Sequence, residues 1–347
     1  MSLASVSKNF FFLFLLSLFF AGGSYSQVLE FDKVRGFSEG LAAVMVGDKY
    51  GYINKQGKFV INPRFDETGG FFEGLASVML DGKYGYIDRK GKVVVRPQFD
   101  EARGFSIDSF ARVRIADRWG VINKKGKYIV NPQFDAVLPF RQGLVPVKVG
   151  DKWGFVNKED QFVLTPQFDD ALDFSEGLAS VMVGEKYGYI DKTGKMVIEP
   201  QFYYALQFAN GYAVVMTTDS KCGLVDKQGD FVIDPQFDFL GGFSRYIPKP
   251  DGPISFYIGS GESARYGFVD LKGKIVINPQ FDNSHNFSEG LCAVLISDRW
   301  GFIDKQGEYV INPQFDSVGS FSEGLASVQV GQKWRVINKK GDYLKSR

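Results

Sequence analysis

The sequence predicts an all-β protein: a tandem array of nine three-stranded antiparallel repeats. Three observations carry this reading. A Phe-Asp landmark returns at a nearly fixed interval, each interval holds strands of period 2, and turn residues stand at constant offsets between them.

The landmark opens at Phe31-Asp32 and returns at Phe65, Phe99, Phe134, Phe168, Phe202, Phe237, Phe281 and Phe315, at intervals of 34, 34, 35, 34, 34, 35, 44 and 34 residues. Asp follows in eight of the nine units, and Tyr203 replaces it in the sixth. After the landmark comes a second Phe and a Gly turn, as in Phe37-Ser38-Glu39-Gly40. The first strand then alternates, with Ala76, Val78 and Leu80 opposed to Ser77 and Met79, the pattern of a half-buried antiparallel strand. Asp81-Gly82-Lys83 leads into the second strand, Tyr84-Gly85-Tyr86-Ile87.

The next turn has a mechanism. Asp88-Arg89-Lys90-Gly91 sets Asp at the head of a type I turn and Gly at a left-handed bulge position. Asp160 takes that Gly's place in the fourth unit, and Asp tolerates the left-handed region better than most residues. The third strand, Val93-Val94-Val95, ends at Pro97, and eight of the 13 prolines occupy this position. Proline cannot donate to a central ladder. No helical period appears. A unit this short cannot bury a core alone, so neighbours must stack.

Residues 27–347 form the array, with about ten extra residues in the seventh unit, assigned to an insertion at 245–264. Such units could stack as an open superhelix or close as a propeller-like ring. The open stack is the expected form, because no unit is obviously split between the ends of the array. The last unit also carries Arg335, Lys339, Lys340, Lys345 and Arg347, as a solvated cap would.

Residues 1–26 read as a signal peptide. Lys8 precedes an apolar run from Phe10 to Ala21, and Ser24-Tyr25-Ser26 gives a small-x-small pattern with cleavage expected after Ser26. The run is too short to span a bilayer, which needs roughly 20 residues. The expected location is therefore secreted, periplasmic or cell-surface. Without Lys8 the remaining 40 basic and 40 acidic residues balance, leaving no electrostatic footprint for nucleic acid. Cys222 and Cys292, two units apart, are expected to be buried free thiols.

An aromatic-Gly pair follows Lys or Arg in most units: Tyr50-Gly51, Tyr84-Gly85, Trp119-Gly120, Trp153-Gly154, Tyr187-Gly188, Tyr266-Gly267 and Trp300-Gly301. With the Gly turn and the Pro-x-Phe-Asp ending, the chain resembles the WG-repeat (KWG-repeat) family of bacterial β-repeat proteins over its whole repeat region. Cys222-Gly223 and Trp334-Arg335 depart from the pattern. The resemblance implies an architecture more than an activity.

The catalytic inventory is thin. His285 is the single histidine, no nucleophile motif accompanies it, and no catalytic residue, metal ligand or cofactor is expected. The recurring Asp and Glu could in principle take Ca²⁺. A basic residue precedes each aromatic-Gly position, from Lys49 to Lys333, so charge pairing is the expected use of the acids. For binding, the candidates are Trp119, Trp153, Trp300 and Trp334, which with Tyr50, Tyr84, Tyr187 and Tyr266 read as either a stacked core or an exposed row, and Phe256 and Tyr257 within the insertion. The expectation is a monomeric, non-enzymatic extracytoplasmic scaffold for a protein or envelope partner. The alternative is a carbohydrate or cell-wall binding module using the aromatic row.

Overall fold

The computed structural model describes residues 27–241 and 252–346. The signal peptide with its cleavage after Ser26, residues 245–251 of the insertion, and Arg347 lie outside the described residues. Nine small antiparallel sheets follow one another along the chain, eight of four strands and the last of three. They close as the blades of a nine-bladed β-propeller, the alternative to the expected open stack.

The first blade shows the plan: β1 (Lys33–Val34), β2 (Leu41–Val46), β3 (Lys49–Asn54) and β4 (Phe59–Phe65), paired in that order. The strand that the three-stranded expectation lacks is β1. It is two residues long, too short to show any period. The Glu39-Gly40 turn leads from β1 into β2, with φ of 52° and 79°, and Ser38 and Leu41 exchange both backbone hydrogen bonds across it. Two consecutive left-handed residues make a type I′ turn, whose twist suits a hairpin. The Asp88 turn forms as expected: Oδ1 accepts from the amides of Lys90 and Lys92, and Gly91 sits at φ 83°.

β2 is buried on both faces, which corrects the half-buried expectation. Leu41 and Ala43 pack on the second blade, whereas Ala42 and Val44 pack on the ninth. Ser77, Ser180, Ser255 and Ser327 are buried at the apparently polar positions. Ser180 shows how this is tolerated: its hydroxyl donates to the Ala205 carbonyl of the next blade at 2.9 Å. Hydrophobic cores therefore lie between sheets, one at each of nine interfaces including that between the last blade and the first.

The aromatic-Gly motif has a steric cause. A Cβ built on Gly51 would lie 2.5 Å from the Ile61 carbonyl oxygen and 2.6 Å from the Pro63 nitrogen. The same overlap recurs at Gly85, Gly120, Gly154, Gly188, Gly223, Gly267 and Gly301. Beyond Ile61 the fourth strand bulges across the face of β3 at this glycine, re-pairs at Phe65 with Tyr50, and enters the next blade. Glycine is required here for close approach.

Arg335 replaces this glycine where the ring closes. Here the crossing segment is divided between the two ends of the described chain. Leu344 donates to Val336, Leu29 donates to Leu344, and Val28 bridges Lys345. Phe31 then pairs with Trp334, as Phe65 does with Tyr50. One unit is split after all, and this overturns the argument for an open stack. Of the basic residues expected to cap it, Arg335 holds the joint by pairing with Glu30 at 2.5 Å, whereas Lys339 pairs with Glu289 of the eighth blade at 3.2 Å.

The insertion also resolves differently. Ile254–Ile258 is the seventh blade's own second strand, paired to Phe239–Leu240 and Arg265–Val269. The additional residues lengthen the connection before it and the hairpin after it, where Gly261–Ser263 form a single 3₁₀ turn.

Candidate functional site

Two sets of polar clasps tie neighbouring blades together, one on each face of the ring. On the face of the β1–β2 turns, Glu39 accepts from the Gly74 amide at 2.9 Å and Glu323 from Gly40 at 2.9 Å. Lys55 adds an ion pair to Glu323 at 2.9 Å. Burial alone would raise the Glu323 pKa, but Lys55 and the Gly40 amide together bring it below the ordinary value.

On the opposite face, that of the β2–β3 hairpins, the landmark Asp makes the clasp. Asp32 accepts from Lys333 at 2.6 Å through one oxygen and from the Gly47 amide at 2.8 Å through the other. Asp238 does the same with Lys221 at 2.5 Å and the Gly259 amide at 2.9 Å. The remaining landmark aspartates pair with Lys49, Lys83, Arg118, Lys152, Arg265 and Arg299. Acidic and basic ladders thus pair as expected. Among the described residues there is no group of three or more His, Cys, Asp or Glu placed to hold a metal.

Departures from this regularity gather at blades five to seven, on the hairpin face. Tyr203 occupies the landmark Asp position of blade six, and Lys186 opposite it has no ion-pair partner among the described residues. Tyr203 is 59% and Tyr204 43% exposed. The Tyr204 ring stands edge-on to Tyr187 at 5.5 Å and 71°, and the Tyr187 hydroxyl donates to Asp170 at 2.6 Å. Burial, then Asp170, raises the Tyr187 pKa. Lys186, Tyr187, Tyr203 and Tyr204, with Glu185 and Thr218, line a cleft of about 510 Å³.

Across the Thr217–Lys221 loop lies a second cleft of about 610 Å³, lined by Met216, Ser220, Asp238, Tyr257, Ser260, Tyr266 and neighbours. Phe239 stands where Tyr204 does in the previous blade, but Cys222 replaces the ring it would meet. It stacks instead on Tyr257 at 5.3 Å and 8°, and Tyr257 lies 5.1 Å from Tyr266.

The other sequence candidates sit elsewhere. Trp153 is buried, and Trp119, Trp300 and Trp334 are half-buried on separate blades, so no continuous exposed row forms. Phe256 is fully buried against Phe237 and is core. Tyr257 alone among the six candidates lines one of these clefts. His285 packs on Trp300 at 4.8 Å, and burial lowers its pKa. Its backbone carbonyl, not its imidazole, receives the Cys292 thiol at 3.1 Å. Cys222 and Cys292 are both buried and free. Tyr204 and Phe239 were not singled out from the sequence, whereas Tyr187 and Tyr266 stood there in the aromatic row and Lys186 in the basic ladder. The visible signals were the broken Phe-Asp at Tyr203 and the missing aromatic at Cys222.

The family model described as "WG containing repeat" matches nine tandem segments: 29–50, 50–84, 84–119, 119–153, 153–187, 187–222, 223–245, 266–300 and 300–334. No curated protein matches the chain by sequence. Among solved structures, that of a eukaryotic initiation factor is similar with a TM-score of 0.63 at 11% identity, covering 87% of this chain and 93% of that one. The computationally designed Ika8 protein gives 0.49 at 12% identity over 82% and 96%, and BamB from Moraxella catarrhalis 0.44 at 10% over 90% and 99%. The likeness to the initiation factor concerns fold alone.

Proposed function

As the chain belongs to the WG-repeat family, we propose that it is a non-enzymatic extracytoplasmic scaffold that engages a partner through the hairpin face of blades five to seven. One observation carries this reading. Departures from the repeat cluster in that sector, and they expose aromatic rings beside two clefts. Both clefts fall within the ~300–1,000 Å³ range of ligand pockets. Placement outside the cytoplasm rests on the apolar run of residues 10–21, and absence of catalysis on the lone, core-packed His285.

The tyrosine-lined walls favour a glycan over an extended polypeptide among the envelope partners, because rings of this type offer an apolar face and a polar tip. The test is a glycan array and a peptidoglycan pull-down with residues 27–347, wild type against Tyr204→Ala/Phe239→Ala/Tyr257→Ala. Binding lost in the triple variant at unchanged melting temperature supports the reading. Identical capture by both proteins refutes it. Fractionation of cells expressing the full chain tests location, and retention in the cytoplasm would refute that part.

A further inference from the structure

We infer that the clasp position vacated at Tyr203 is a binding site for an exogenous carboxylate, and that its ligand is a uronic acid: a sugar ring bearing a carboxylate. This rests on the reading of the blade five-to-seven face as a binding surface and names the ligand of its first cleft.

Eight interfaces of the ring bind a carboxylate with the same parts. A Lys or Arg of the preceding blade takes one oxygen, and where the second oxygen is held its donor is an amide at the head of the following hairpin, as with Gly47 for Asp32 and Gly150 for Asp135. At the ninth interface the parts remain and the carboxylate is missing. Lys186 keeps the cation position. Thr218 stands at the same offset of 15 residues from Tyr203 as Gly47 from Asp32, and its amide bonds to nothing among the described residues. Both line the same cleft, which lies between the Gly184–Glu185 hairpin and Thr218. A cation and an N–H that line one cleft without an acceptor form an anion site, and the two-oxygen geometry of seven of the other eight makes it a carboxylate site.

The walls specify the rest of the ligand. Tyr203 and Tyr204 present exposed rings whose hydroxyls have no partner among the described residues. Ring faces suit the C–H face of a pyranose, and phenolic hydroxyls suit its hydroxyl groups. Glu185, exposed on the far wall, would repel a second acidic group but can accept from a sugar hydroxyl. A cleft of about 510 Å³ between two hairpins admits a compact ring in preference to a polyanionic chain.

Calorimetry on residues 27–347 with galacturonate and glucuronate, against galactose, glucose, acetate and an acidic peptide, tests this. The expected result is uronate binding at least about tenfold tighter than the neutral sugar, the effect of one charge-assisted contact. Lys186→Met should erase that preference. Tyr203→Asp should abolish uronate binding, because the restored side chain fills its own clasp, and should raise the melting temperature by about 1–2 °C. Equal affinity for uronate and neutral sugar, preference for the peptide, no uronate binding, or undiminished binding by Tyr203→Asp would each overturn the assignment. Neutral-sugar binding that Tyr204→Ala destroys and Lys186→Met leaves alone would refute the carboxylate and keep the surface. Failure of the surface itself would show in the triple-aromatic comparison.

Discussion

Phe31 and Trp334 exchange both of their backbone hydrogen bonds, Phe31 N–H to Trp334 O at 3.0 Å and the reverse at 2.9 Å. Phe31 is buried with Val34, Phe37, Val336 and half-buried Trp334. This pair joins the first described segment to the last blade, so the interface it closes has a buried core, a Phe pairing and an Asp–Lys clasp of the kind found at other interfaces.

Removing the joint should therefore cost more than removing a surface strand. Phe31→Ala is expected to destabilise by about 3–4 kcal/mol through loss of a buried ring. A chain beginning at Asp32 should melt lower still and swell beyond the ~20 Å radius of gyration of a compact protein this size. Denaturant titration and small-angle scattering measure the two effects. An unchanged radius would contradict closure through residues 27–31.

Gly188→Ala tests the crossing. Its Cβ would meet the Ile198 carbonyl oxygen at 2.5 Å and the Pro200 nitrogen at 2.8 Å, both backbone atoms with no rotamer to yield. A loss of about 2–3 kcal/mol is expected. Gly104→Ala, where nothing lies within 4 Å, should be near neutral in the same urea melt.

Stability should fall in acid and hold across neutral pH. The Lys hydrogen bonds, chiefly, hold the carboxyls of Asp32, Asp66, Asp100, Asp169 and Asp238 below their ordinary value. Their contribution is fully present above the unfolded value of about 3.9 and lost as pH falls below it. The same contacts raise Lys49 and Lys333, so that contribution persists until pH climbs past about 10.4. Burial lowers His285, which adds a shallow decline beginning near pH 6.5 as the unfolded chain takes up a proton that the folded one refuses. His285→Phe should flatten that shoulder in a pH series of thermal melts.

Calcium should leave the melting temperature unchanged. The landmark carboxylates are already held by cations and several also by amides, so an entering ion would have to displace a lysine or arginine at each. A rise of several degrees with millimolar Ca²⁺ and its reversal by chelation would show otherwise.

Buried thiols give a further check. Burial raises the Cys222 and Cys292 pKa values, and the two lie in separate inter-blade cores. Neither should react with a thiol reagent until the ring unfolds, when two equivalents should appear.

The second to fourth strands of most blades were legible because each carries a pattern long enough to read and is bounded by turn residues with a defined conformation, as at Asp88 and Gly91; in the seventh blade the second strand, Ile254–Ile258, was instead counted with the insertion. Lys33–Val34 was not, since two residues carry no period. Closure was hidden for a related reason. The split falls inside the crossing segment, so Val28–Phe31 and Tyr343–Leu344 look like two ordinary strand ends. At the candidate site the anomalies Tyr203 and Cys222 stood in plain view. Their meaning depended on knowing that the landmark Asp reaches Lys186's equivalents across a blade interface, a contact that spacing alone does not define.

Arg335 in place of a glycine has a last consequence. An open stack can gain or lose a unit by slippage and remain sound. Here Glu30 and Arg335 meet only when the accumulated rotation of the blades completes one turn. A chain with one blade inserted or deleted would therefore have to re-space every interface before those two residues could meet.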